Sequence, residues 1–389
     1  MKKAKTLKIF FWSAVALTLL LFIVVFYQVN MGDIVEYLGF EGPLLPENTL
    51  QGNLDRQDQN YITICSVGDV MLARKVGRAI KTQGPDYPLR VLGPELAAAD
   101  ITFANLESPI AQSGQPLPGK QICFRAPPVS LESLKAGGFD IVSLANNHAV
   151  DYDSPALLET FDRLSEAGIA VIGAGSNISQ ARQAVILERK GMKIAFLAYS
   201  DLADIYFSYK YRRAHRAQEN LPGVAPMILP DMLDDVRAAR AQADAVVVSL
   251  HWGNEYTEEP TPQQQEIAHR LIDFGADLIL GHHPHWLQGL EVYQGKLIAY
   301  SLGNFVFDQD WSEPTQEGLV LQVQIDPTGL KEARLKPIYI NTCQPQWASE
   351  AREEKIFNQV IERCRKLNTE VKWEGDWAKI KVQKDAANI

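Results

Sequence analysis

The feature that most constrains the fold is a series of short apolar, β-branched runs, each bounded by Gly, Pro or Asn. In order they are YITICSVGD, DITFANLES, DIVSLANNH, IAVIGAG, KIAFLAYSD, AVVVSLHWG, LILGHHPH, KLIAYSLGN, GLVLQVQID and LKPIYIN. Runs of this length between turn-forming residues predict buried strands. Helix-like stretches such as SPALLETFDRLSEAG and DMLDDVRAARAQAD separate several of them. That alternation predicts one α/β domain, over residues 61–345, with mainly antiparallel strands towards its end. Beyond it, EEKIFNQVIERCRKLN predicts a helix within a peripheral C-terminal extension, residues 346–389.

Polar residues gather where these strands end. SVGDVM carries Asp69, FANLESP carries Asn105 and Glu107, and SLANNHAVD carries Asn146, Asn147 and His148. SLHWGNEY carries His251, and LGHHPH carries His282, His283 and His285, three of the chain's seven histidines. Strands of one sheet open into loops along a common edge, where α/β proteins build their sites. Five such exits bring carboxylates, carboxamides and imidazoles together. Oxygen and nitrogen donors without thiolate suit Mn, Fe or Zn, and two such ions can share a bridging carboxylate. Each residue also has an ordinary use: Asp69 as a helix cap, Glu107 in a turn, NNH as an Asn-rich turn, His251 as a hydrogen-bonded ring. His215 and His269 lie away from the strand exits and are read as surface or structural. GAGSN at 173–177 lacks the third glycine and the acidic partner of a dinucleotide loop.

The net charge of −9 offers no basic stripe for nucleic acid. Residues 9–27, IFFWSAVALTLLLFIVVFY, are long and apolar enough to cross a bilayer. Lys2, Lys3, Lys5 and Lys8 precede the run, and Asp33, Glu36 and Glu41 follow it. The positive-inside rule therefore predicts a single-pass anchor (residues 1–30), a stalk (31–60) and an extracellular domain. A cleaved signal peptide is the rival, disfavoured by the length of the run and by the absence of a small-x-small site. Cys65, Cys123, Cys343 and Cys364 show no metal-finger spacing and are read as free thiols, with a Cys343–Cys364 pair left open.

GDVMLAR, ANLESPI, FDIVSLANNHAVDY, VSLHWGNEY and GHHPHWLQGLEVYQGKLIAYSLGNF, in that order, resemble the CapA-type capsule-synthesis family, also called poly-γ-glutamate biosynthesis proteins. That family is similar to the calcineurin-like metallophosphoesterases. The resemblance implies a four-layer α/β/β/α sandwich with one or two divalent ions at an edge of the paired sheets. It also implies a role with an anionic envelope polymer and its synthase subunits. By the same resemblance the metal ligands are Asp69, Glu107, Asn147, His251, His283 and His285, with Glu107 bridging, His148 the proton-transfer residue and His282 an extra. Two places depart from the metallophosphoesterase pattern: Met71 stands where a histidine is usual, and Asn105-Leu106-Glu107 stands where an aspartate usually follows a glycine. One metal position, with Glu107, Asn147, His251 and His283, then looks complete; the other, with Asp69, Glu107 and His285, looks depleted. Arg74, Arg125 and Asn304 are the candidates for substrate binding: the arginines to hold a substrate anion, or as ordinary surface arginines, and Asn304 to support the site there, or as a simple turn. Two functions follow: a metal-dependent hydrolase or transferase, or a non-catalytic scaffold that binds polymer or synthase.

Overall fold

Strand Ile62–Val70 is the pivot of a ten-stranded sheet. Ile62 and Ile64 face an inner core while Cys65 and Val67 face an outer one, following the two-residue period of a pleated strand. Strands Ile101–Leu106, Ile141–Ser143 and Ala170–Ile172 extend from it in parallel. Along its other edge, Glu317–Asp326 and then Gly329–Asn341 run antiparallel. The computed structural model describes residues 61–382. The expected anchor at 9–27 and stalk at 31–60 lie outside these residues; among the described residues no helix is long and apolar enough to cross a membrane.

A six-stranded sheet has the parallel strands Met192–Ser200, Ala245–His251, Leu278–His282 and Lys296–Ala299 at its centre. Ile64, Phe103 and Ile141 of the first sheet share the inner core with Phe196, Val247 and Leu280 of the second. The outer face of the larger sheet is covered by Val76, Ile80, Leu157 and Leu164 of helices Arg74–Gln83 and Asp153–Glu166. The outer face of the smaller sheet is covered by Met232, Val236, Ala268 and Leu271 of helices Leu229–Arg240 and Pro262–Asp273. The second of these helices starts at a capping box, in which Thr261 and Gln264 each bond the other's backbone N–H, with Pro262 in the first turn. The fold is thus mixed α/β, with layers running helix, sheet, sheet, helix.

The C-terminal segment corrects one expectation. It is not peripheral, because Ile356, Phe357, Val360 and Cys364 of helix Glu350–Lys366 lie in the inner core. The hairpin of Val371–Glu374 and Trp377–Ile380 continues the ten-stranded sheet through Gly329–Asn341. The domain therefore runs past residue 345, and the apolar stripe of this helix closes the inner core. All four cysteines are free, and the Cys364 sulfur accepts from the Leu290 N–H at 3.2 Å.

Candidate metal centre

Register places the polar strand ends side by side. Asp69 pairs with Asn105 on one neighbouring strand and with Asn304 on the other, and His251 pairs with His282. Gly281 lets the backbones close up at this edge, since a Cβ there would lie 1.9 Å from the Tyr300 carbonyl oxygen. Past the strand, His283 (φ 96°) and His285 (φ 57°) both adopt left-handed backbone, flanking Pro284. Such conformations in residues with a Cβ are uncommon and concentrate at functional loops.

The six residues expected as ligands converge. Asp69, Glu107 and His285 are buried and each offers a ligand atom within 4.8 Å of the others. Glu107 Oε1 lies 4.0 Å from His251 Nε2, which is 2.9 Å from Asn147 Oδ1. The His251 and His283 rings are 4.7 Å apart. Asp69 accepts from the Asn105 amide at 2.8 Å and from the His283 N–H at 3.3 Å. His282, expected to be a bystander, also stands beside the cluster, its Nδ1 3.3 Å from Asp69 Oδ1. The metal position that looked depleted thus has its three residues assembled.

The donors fit a divalent cation. Both Glu107 carboxylate oxygens and His283 Nδ1 are buried without a hydrogen-bond partner. Burial, and next the charge of Asp69, push the Glu107 carboxyl well above its ordinary range. Burial also works to raise Asp69, but the rings of His282 and His285 hold it well below. A buried carboxylate with neither donor nor cation costs several kcal/mol, so a cation is the natural partner for Glu107. The Met71 sulfur accepts from the Ala73 N–H at 3.0 Å, closing its own loop. Asn105 instead braces two members of the cluster, with its amide nitrogen 3.3 Å from His251 Nδ1 as well as bonded to Asp69.

His148 sits at the edge of the cluster, its Nε2 3.9 Å from Glu107 Oε1 and its Nδ1 2.7 Å from Asp151 Oδ2. Burial first, and then the charge of Lys120, keep this ring well below the ordinary imidazole range. That favours the neutral ring, and the tautomer that suits an Asp151 carboxylate already paired with Lys120 donates Nδ1–H to it and leaves Nε2 as an acceptor. Lys120 donates to both Asp151 and the Asn147 carbonyl. The Phe124 ring stacks on His148 at 3.9 Å, and the Arg74 guanidinium lies 4.5 Å over Phe124. The reading of the sequence did not include Asp151, Lys120 or Phe124 among the site residues. The one available signal was the three-residue spacing of His148 and Asp151, which suits a local side-chain pair.

Two expected substrate contacts change role. Arg74 stays at the rim, paired with Asp308. Arg125 is taken up by its own surroundings: Nη1 donates to the carbonyls of Gln112, Ser113 and Gly114, and the guanidinium lies 4.1 Å over Tyr152. Asn304 stands behind His285: its oxygen is 2.9 Å from His285 Nδ1, and its amide donates to Gln309 and the Thr315 carbonyl. That leaves His285 Nε2 for a cation. Asn304→Ala is expected to lower metal affinity about 10- to 100-fold, read by metal titration with a melting curve to check the fold. Unchanged affinity would remove Asn304 from the site.

Residues 63–309, which contain every residue of the cluster, match the bacterial capsule synthesis protein PGA_cap family. The chain belongs to that family. Similar PGA_cap-type relatives include the PGA biosynthesis protein CapA of Bacillus subtilis (strain 168), 34% identical over 281 residues, covering 72% of each chain. The capsule biosynthesis protein CapA of Bacillus anthracis is 30% identical over 318 residues, 80% of this chain and 75% of that one. Among solved structures, a phosphatase from Mycoplasma pneumoniae aligns with TM-score 0.45 at 14% identity, over 77% of this chain and 99% of that one.

Proposed function

We propose that this PGA_cap chain is a membrane-anchored enzyme of metallophosphoesterase type. It acts outside the cytoplasm, on a phosphoryl or acyl group of an envelope substrate, in making or anchoring an anionic polymer such as poly-γ-glutamate beside its synthase. The observation that carries the reading is Glu107, a buried carboxylate without a partner, ringed by Asp69, Asn147, His251, His283 and His285, with His148 at its edge. A bound Mn, Fe or Zn ion would polarise a substrate oxygen and lower the pKa of a bound water. In the substrate-free protein His148 Nε2 is free to accept a proton, and an anionic substrate group placed there would favour the charged ring, which then gives that proton to the leaving group. Asp151 holds the tautomer and stabilises the imidazolium that forms. Arg74 stands at the rim, where an incoming anion would have to compete with Asp308 for it.

The test uses the full chain, chelated and then reloaded separately with Mn, Fe and Zn, and assayed on phosphomonoester, phosphodiester and γ-glutamyl amide substrates. Turnover is expected with at least one metal and none after chelation. A second reading, the non-catalytic scaffold, draws on Met71, whose sulfur bonds its own loop where the metallophosphoesterase pattern has an imidazole. Stoichiometric metal binding without turnover on any substrate would select it.

A further inference from the structure

Residues 205–212, IYFSYKYR, form an exposed aromatic and cationic strip. Ile205, Tyr206, Phe207, Tyr209 and Tyr211 are 39, 40, 39, 82 and 42% exposed, a concentration of apolar surface that soluble domains generally avoid unless it binds something. Among the described residues Lys210 and Arg212 have no carboxylate at ion-pair distance, whereas the following Arg213 and Arg216 pair with Asp153 and Asp204. Arg212 lies 5.8 Å over the Tyr206 ring, and Tyr206 meets Tyr209 edge to face.

The strip is fastened to the metal centre. Buried Arg213 anchors one end on Asp153 at 2.9 Å, and Tyr211 bonds the same carboxylate. The Phe207 carbonyl packs so closely on Gly119 that a Cβ there would lie 2.4 Å from it. The next residue, Lys120, stands 5.0 Å from the Phe207 ring and reaches Asp151 and the Asn147 carbonyl with the same ammonium. A ligand lying on the strip is therefore one side chain away from the His148–Asp151 pair.

We infer that residues 205–212 are the docking strip for a chain of repeated carboxylates. On a protein of net charge −9, unneutralised cations are where a polyanion finds attraction. Lys210 and Arg212 meet successive carboxylates, while Tyr209 and Tyr211 cover the methylenes between them. The inference rests on the polymer reading above and names the surface that takes the polymer.

The experiment measures binding of fluorescein-labelled polyglutamate to the full chain in detergent, at rising salt, together with metal content and turnover of a small phosphodiester. The Lys210→Ala/Arg212→Ala double variant is expected to weaken polyglutamate binding about tenfold and to flatten its salt dependence, with metal and small-substrate turnover unchanged. Tyr209→Ala should weaken it less and keep the salt slope. Unchanged polyglutamate affinity in the double variant overturns the inference. So does a variant that loses binding to phosphatidylglycerol vesicles but keeps the polymer, which would make the strip a membrane contact. A wild type that turns over the small substrate yet binds no polyglutamate overturns the strip and leaves the catalytic reading standing. Polymer held by the strip without any turnover supports the strip and sinks the catalytic reading alone.

Discussion

Glu107→Gln is expected to reduce divalent-metal affinity by at least about 100-fold, beyond the loss usual for a group that only orients a ligand. Glu107 is the carboxylate shared by both halves of the cluster, within 4.8 Å of ligand atoms of Asp69 and His285 and 4.0 Å from His251 Nε2. At pH above the ordinary glutamate range the same change should make the metal-free protein more heat-stable, because a buried, unpartnered carboxyl there must either hold its proton or bury a charge. The gain comes from removing a group whose ionisation the fold opposes, since the Gln amide fills the same space but carries no charge and takes up no proton. Its sign with pH follows from the raised carboxyl: the folded state keeps a proton that the unfolded chain releases. The stability of the metal-free wild type therefore drains away as pH rises above the ordinary glutamate range, and the advantage of the variant widens. Saturating metal reverses the order, since ligand at about 100 times its dissociation constant adds about 2.7 kcal/mol to the form that binds it. Melting curves with and without metal, paired with metal content, check both halves. A variant that keeps full metal occupancy would show that Glu107 is not a ligand.

That carboxylate, and the strand ends around it, were legible in the sequence because strand position carries geometry. A run such as AVVVSLH fixes where its last side chain emerges, and parallel register then sets His251 beside His282. Roles that depend on contacts between distant loops were not legible. Lys120 comes from an irregular segment, and nothing local says that its ammonium reaches Asp151. Arg125 illustrates the converse: an arginine beside a site motif suggests an anion contact, yet its neighbours are main-chain carbonyls. Asn304 was legible as a residue that supports the site, but only the folded strands reveal that the group it meets is His285 and not a substrate. Helix Glu350–Lys366 was recognised as a helix, but an amphipathic pattern does not say whether its apolar stripe meets an edge or the central core. His282 shows the limit of motif register, because a spacing rule selects two histidines of three while the fold buries all three.

The second large effect separates enzyme from scaffold at His148. His148→Ala is expected to lower turnover about 100- to 10,000-fold, the range for a positioned proton-transfer group, while leaving metal content and the melting temperature near those of the wild type. The separation is geometric: Nδ1 is committed to Asp151 at 2.7 Å, and Nε2 lies 3.9 Å from Glu107, close enough to serve a reacting group between them. Asp151→Asn should follow the same direction, because an amide at that position no longer stabilises an imidazolium, and its loss should appear in kcat with metal still bound. It carries a structural cost of its own, since Asp151 also pairs with buried Lys120 and accepts from the Phe124 N–H at 2.6 Å, so metal content and melting curves must accompany its kinetics. If His148→Ala loses metal as Glu107→Gln does, His148 is a ligand and the proton-transfer role falls. If His148→Ala leaves both turnover and polymer production at wild-type levels while His251→Ala abolishes production, the metal serves structure or grips polymer carboxylates, and the scaffold reading replaces the enzyme.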